Sequence, residues 1–440
     1  MHMPGAAAAE AIVPPGAIPP EATAPQLAQL AWRRLQPQAW PLPPEAFPAG
    51  AALVGGAVRD ALLDRLPQQP DLDLVVPEDA IALCRQLGRR HGGSVVVLDA
   101  ERSIARLVIQ GWSIDLARQE GDSLEQDLRR RDYRLNAMAL PLGPEAQLLD
   151  PLEGLSDLRR GQLMAVAEAN LLDDPLRLLR GVRLASELGF ALEPQTQHWL
   201  KHHHACLAAV AGERVLAELD KLAASPGGAA GLRQCLAWGL LEPWRAPTAA
   251  GTPQAEALLE GLGAAEAQRL GLSSAEAQQA LPLARLAAVL DGAGLRRLRS
   301  SRRLQQRVEQ LRRWRQRLGA EAPAQRAERL SEVERLRLQR DLEDDLPALL
   351  LSWPTAAATT WLARWRNPDD PLFHPRAAID GLTLQRELGL PASPRLGALL
   401  QHLMQLRAFG RLNGRLEALE AAQRWLAAHP ADGDAAPRRG

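Results

Sequence analysis

Apolar and polar positions alternate in two regimes along the chain. Between Ala51 and Gln162 the apolar stretches are short and bounded by Gly, Pro, Asn or Asp. They predict strands ending at Leu53-Val54 and over Asp71 to Val76, Ser94 to Leu98, Ile104 to Ile109 and Trp112 to Leu116. A further strand follows Asn136, with a turn at Gly143-Pro144 and a hairpin partner at Gln147 to Leu149. Helical spacing covers Val58 to Leu66, Ala80 to Arg90, closed by Gly92-Gly93, and Leu124 to Leu128. The pattern predicts a small mixed sheet with helices packed on it.

Beyond Gln162 helical periods dominate. Asp174 reads as an N-cap and Pro175 as the first helical residue of a helix carrying Leu176, Leu179, Val182 and Ala185 on one face and ending at Gly189. A second helix spans Gly212 to Ala224, Pro226-Gly227-Gly228 reads as a joint, and a short helix covers Gly231 to Leu241. Pro247 to Pro253 reads as a linker, and Leu382 to Leu400 as helix, Pro turn and helix. Ahead of the sheet, Ala24 to Leu35 carries a helical pattern, and Pro37 to Pro48 breaks it.

The 440 residues suffice for several cores. A formal net charge of zero neither announces nor excludes a nucleic-acid partner, because a local basic face decides that. Three scattered cysteines without CxxC spacing argue against a disulfide framework or zinc site and fit a reducing, cytoplasmic setting. The Pro/Ala-rich start has no basic n-region before an apolar core and reads as a disordered tail. No uncharged apolar run reaches membrane-span length, so no membrane partner is expected.

The chemistry concentrates between Leu53 and Val76. Gly55 and Gly56 let backbone approach a phosphate, and the helix they open presents free N–H groups. Asp71 and Asp73 alternate along a strand, so both carboxylates face one way, as a pair of hard divalent cations requires. Asp115 is either a third carboxylate beside them or a structural strand residue. His202, His203 and His204 are consecutive, point different ways on a helix, and read as a solvated face. The arginine-rich stretch around Trp314 either binds RNA or is a surface helix with its Trp in the core.

Four ordered motifs resemble the class II nucleotidyltransferases, the CCA-adding tRNA nucleotidyltransferases and bacterial poly(A) polymerases. They are Gly55-Gly56-Ala57-Val58-Arg59-Asp60 with Asp71-Leu72-Asp73, Arg130-Arg131-Asp132 through Asn136-Ala137-Met138, Asp173-Asp174-Pro175-Leu176-Arg177 through Ala185, and Glu213-Arg214 through Lys221-Leu222. Asp173 stands where the family usually has Glu, and Leu184 where it usually has Phe. The resemblance implies an α+β fold: a polymerase beta-like mixed-sheet head over 49–162, then an elongated all-helical part with a neck over 163–227 and a tRNA-binding body and tail over 228–430. Residues 1–48 would form the N-terminal tail and short helix, and 431–440 a disordered C-terminus.

It further implies transfer of NMP from CTP or ATP to a tRNA 3′-hydroxyl, with Mg2+ held by Asp71 and Asp73 and with Asp115 as third catalytic carboxylate. Gly55, Gly56 and Arg59 would lie against the phosphates, while Arg130, Arg131, Asp132 and Asn136 read ribose and triphosphate. Asp174 and Arg177 would read the base edge, a carboxylate accepting from the exocyclic amine of C or A and a guanidinium donating beside it. Arg180 and Arg183 divide between helix-surface pairing and this site; Glu213 and Lys221 read as structural ion-pair residues. Gln119 to Ser123 is the whole loop between the Asp115 strand and the acidic helix before Arg130. Such a short loop resembles CC-adding members; full CCA-adding, A-adding, poly(A)-adding and catalytically inactive RNA-binding homologues are the alternatives.

Overall fold

The computed structural model describes residues 18–19, 21–143, 147–245 and 251–429. The chain divides into two compact units, one ending at Pro243 and the other beginning at Trp244.

In the first unit, six strands form one sheet in the order β3-β4-β5-β2-β1-β6. They are β1 (Ala52–Val54), β2 (Leu72–Val76), β3 (Ser94–Asp99), β4 (Ile104–Ile109), β5 (Trp112–Arg118) and β6 (Ala139–Pro141). β1 and β2 lie centrally, which is why they read as near-continuous apolar runs; every residue of β1 is buried. β1 pairs antiparallel with β2 and β6, whereas β2 and β5 run parallel. The expected return strand at Gln147 to Leu149 reduces to a single antiparallel bridge between Ala139 and Leu149, and Pro144 of the expected turn lies outside the described residues.

Helix α1 (Ala24–Leu35) packs on α2 (Gly56–Leu62). Arg34 on α1 donates to the carbonyls of Ala61 and Leu62, both at 2.9 Å, and so satisfies the open end of α2. The predicted extension of α2 to Leu66 fails because Asp64 turns left-handed at φ 56°. Helix α3 (Ala80–His91) starts on the Asp79 side chain, which accepts from the N–H groups of Ile81 and Ala82, and stops at left-handed Gly92. Helix α4 (Leu124–Arg129) and helix α5 (Gly154–Arg160) follow.

Helices α6 (Glu168–Asp173), α7 (Leu176–Leu188), α8 (Pro194–His202), α9 (Gly212–Ala224) and α10 (Gly228–Ala237) complete the unit. α7 is joined to the sheet region by Tyr133, which is fully buried and donates its hydroxyl to the carbonyl of Arg177 at 2.8 Å. Gly181 makes room for that ring: a Cβ there would sit 2.0 Å from the Tyr133 hydroxyl. α9 is fixed to α7 by the buried pair of Arg183 and Glu218, Nε to Oε2 at 2.6 Å.

Among the described residues of the second unit, every regular element is a helix. The helix Arg302–Leu318 buries Val308, Leu311, Trp314 and Leu318, and the Trp314 indole donates to Asp341 at 2.9 Å. Its tryptophan therefore belongs to the core. Residues 247–250 of the expected linker lie outside the described residues, and Gly251 and Pro253 belong to the helix Gly251–Glu260. Gly381–Leu388 and Pro394–Ala408 form the expected helix pair around Leu384, Leu399 and Leu403. Among the described residues, no helix is long and apolar enough to cross a membrane.

Candidate functional site

The sheet register brings the carboxylates together. Asp73 on β2 lies directly opposite Asp115 on parallel β5, and Asp71 lies one residue ahead of β2. Burial, then the charges of Asp115 and Asp71, push the Asp73 carboxyl up to about 6, against the pull of Arg131 and Arg180. Asp115 is itself held by Arg106 on β4, Nε to Oδ1 at 2.7 Å and Nη2 to Oδ2 at 2.8 Å. Both oxygens of the expected third carboxylate are thus engaged by a bidentate guanidinium. Among the described residues no three His, Cys, Asp or Glu side chains gather as a ready-made chelate. The crowded pair of Asp71 and Asp73 nevertheless suits Mg2+, which binds through one or two carboxylates plus substrate phosphates and water. A cation there would favour the ionised Asp73 carboxylate against the burial and the like charges that raise it.

The glycine turn lies against Asp73. Gly55 adopts φ 75° and ψ −137°, a backbone state closed to L side chains, and its missing Cβ would lie 3.4 Å from Asp73 Oδ2 and 3.7 Å from Arg131 Nη1. Gly56 opens α2 and approaches Arg59. Arg59 is 5% exposed; it donates to Asn136 Oδ1 at 2.7 Å and grips Asp60 at 2.8 and 2.9 Å. Asn136 Nδ2 and Arg131 Nε are buried donors without a protein acceptor. Orphan donors beside a glycine turn are what an anionic triphosphate satisfies.

Arg131 also reaches Asp127 at 3.2 Å, and Arg130 pairs with Glu120. Asp132 accepts from Arg180 and from the Tyr133 N–H, each at 2.8 Å. Burial works against its charge, but Arg180, that N–H, Arg177 and Arg131 together hold its carboxyl below the usual range. Asp132 therefore stands ionised, an acceptor suited to a ribose hydroxyl.

Asp174 has the extended backbone and side-chain bond of an N-cap, its Oδ1 accepting from Leu176 N–H at 3.3 Å. Its Oδ2 accepts from Arg214 of α9 at 2.7 Å. Arg177 donates to the carbonyls of Arg130 at 3.0 Å and Asn170 at 2.8 Å. Asn170, on α6, also donates to the carbonyls of Arg129 and Arg131 at 2.9 and 2.7 Å, tying α6 to the segment from Arg129 to Arg131. Arg183 is not brought to the site: it is 7% exposed and committed to Glu218 and Glu187.

Three contributors escape the sequence reading: Arg106, Asn170 and the role of Arg214. A signal existed for Arg106. Gln110 and Gly111 form a two-residue hairpin turn with both φ positive, which fixes the register that sets Arg106 opposite Asp115. Asn170 and Arg214 depend on long-range packing and carry no local mark.

Residues 51–164 match the family model described as "Poly A polymerase head domain", and residues 189–245 match "Probable RNA and SrmB- binding site of polymerase A". A CC-adding tRNA nucleotidyltransferase of Synechocystis sp. is 34% identical over 403 residues, covering 86% of this chain and 94% of that one. An A-adding tRNA nucleotidyltransferase of Deinococcus radiodurans is 43% identical over 213 residues, 46% of each chain. In fold, the chain is similar to the Bacillus stearothermophilus CCA-adding enzyme crystallised with CTP, with a TM-score of 0.63 over 91% of this chain and 98% of that one at 23% identity.

Proposed function

This chain belongs to the class II tRNA nucleotidyltransferase and poly(A) polymerase family, and we propose that within it the protein is a CC-adding enzyme. It would transfer CMP from CTP to a tRNA 3′-hydroxyl, release pyrophosphate, and leave the terminal A to a partner enzyme. The observation that carries this reading is the connection from β5 to α4. Only Gln119 to Ser123 lie between them, and the segment is tied down. Gln119 N–H donates to the Val76 carbonyl at 2.8 Å, Glu120 N–H to Asp127 at 3.1 Å, and Asp122 N–H to Gln126 at 2.7 Å. A segment bonded in this way has no slack from which to form the flexible loop of full CCA-adding members. The Synechocystis relative, 34% identical and matched over 94% of its length, is CC-adding, which supports the same reading.

In the proposed mechanism Asp71 and Asp73 would hold Mg2+, which when bound would supply Lewis-acid chemistry to the attacking hydroxyl and the triphosphate. Gly55 and Gly56 give the phosphates close backbone approach, and Arg131, with the orphan Nδ2 of Asn136, donates to their oxygens. Arg59 orients Asn136. Asp132, kept ionised by Arg180, accepts from the ribose 2′-hydroxyl and so favours ribonucleotides. Asp174 accepts from the exocyclic amine of cytosine, while Arg177 donates to the ring edge. U and G, which present the wrong donors there, are disfavoured. Asp115, clamped by Arg106, sets the charge beside Asp73.

The test supplies purified protein with tRNA transcripts ending at the discriminator, at C and at CC, each with one labelled NTP. Incorporation of C that halts at CC is expected. Addition of A to the CC end would assign an A-adding or CCA-adding enzyme instead. Asp73→Ala is expected to abolish incorporation.

A further inference from the structure

Asp174 and Arg177 carry opposite charges three residues apart, the spacing at which helical side chains pair and cancel. A template made of such a pair works only if each member is kept for the base. Among the described residues the two do not pair with each other. Arg177 is drawn off by the carbonyls of Arg130 and Asn170, and Asp174 by Arg214. We propose that Arg214 is a specificity-determining positioning residue: it holds the Asp174 carboxylate away from Arg177, in the orientation that accepts from cytosine. This inference rests on Asp174 and Arg177 reading the base.

The packing of α9 gives Arg214 the fixity this needs. Arg214 and Glu218 lie one helical turn apart on the same face of α9. Glu218 is locked to Arg183 of α7 at 2.6 Å in a pair with both side chains 9% exposed. That anchor sets α9 against α7, and Arg214 then reaches the N-terminal end of α7, where Asp174 caps it. Asp174 Oδ2 takes the guanidinium at 2.7 Å and Oδ1 takes the Leu176 N–H at 3.3 Å, so the carboxylate is held at both oxygens. Each oxygen keeps a lone pair for the incoming amine. Without Arg214, rotation of the carboxylate toward Arg177 would close the template.

Steady-state kinetics of the full-length protein on a tRNA ending at the discriminator test this, with CTP, UTP and GTP compared. Arg214→Ala is expected to lower the CTP-to-UTP ratio of kcat/KM about tenfold, the scale of one charge-assisted hydrogen bond. Arg214→Lys, which keeps the charge and one donor, is expected to restore most of that ratio. Arg214→Gln replaces Arg214→Ala if the latter does not fold. An equal fall for every nucleotide, with the ratio unchanged, would make Arg214 a merely structural clamp and overturn the proposal. Asp174→Ala separates the layers. A lost ratio there with an intact one in the Arg214 variants refutes only the role of Arg214. An intact ratio in Asp174→Ala removes the base-reading assignment, and this inference with it.

Discussion

Lowering the pH from about 7 to about 5 takes the Asp73 carboxyl from mostly ionised to mostly protonated, because burial, Asp115 and Asp71 push its pKa up to about 6. With that value the carboxylate is about 90% ionised near pH 7 and about 10% near pH 5, whereas an ordinary aspartate remains about 90% ionised at the lower pH. A proton and Mg2+ compete for the same oxygens, so the Mg2+ concentration for half-maximal binding should rise about tenfold across that interval. The assay titrates Mg2+ in single-turnover CMP transfer, with Mn2+ binding followed in parallel by water proton relaxation in the absence of RNA and nucleotide. The second readout is independent of the pH dependence of the chemical step. The linkage has a fixed sign. A carboxyl raised in the folded state adds stability below its unfolded pKa and loses it as pH rises through the folded one. The metal-free protein should therefore become less stable between about pH 4 and pH 6, by at most on the order of 3 kcal/mol, and Mg2+ should return part of this. A binding midpoint that moves less than about twofold between the two pH values, with the fold intact by circular dichroism, would refute the crowded-carboxylate account.

Other expectations follow from the same geometry. Arg106→Leu leaves Asp115 uncompensated beside Asp73 and should move the acid limb of the pH–rate profile upward, while Asp115→Asn removes a like charge and should move it downward; shifts in the same direction would contradict the register argument. Gly55→Ala places a Cβ in a backbone state closed to alanine and 3.4 Å from Asp73 Oδ2, so kcat/KM for CTP should fall about 100-fold; near wild-type turnover would show that the turn is not needed in that form. Arg183→Ala leaves Glu218 buried without its guanidinium and should cost about 3 kcal/mol in urea unfolding; an unchanged midpoint would deny the pair its structural weight.

Much of the head was legible because its strands are bounded by residues with one conformational meaning. Gly55 ends the β1 run, and Asp79 and Gly92 delimit α3. Asp174-Pro175 marks the start of α7. The residues of the site were legible as motifs, but their partners were not. Asp115 could be placed opposite Arg106 from the two-residue turn alone. Placing it beside Asp73 required knowing that β5 runs parallel to β2, and parallel pairing between strands far apart in sequence leaves no local trace.

The run Arg177, Arg180, Arg183 shows the same limit inside one helix. Three residues turn an α-helix through about 300°, so each step along the run rotates the side chain back by about 60°. Arg177 faces the Arg130 carbonyl, Arg180 faces Asp132, and Arg183, about 120° away from Arg177, faces Glu218 of α9. A repeated arginine at the i, i+3 spacing thus serves three neighbours in succession. The first two lie at the proposed nucleotide and the third in the packing of α7 on α9. The rotation follows from the sequence. What stands at each angle follows from α9, whose Glu218 turns a candidate ligand contact into a buried ion pair and whose Arg214 holds the Asp174 carboxylate.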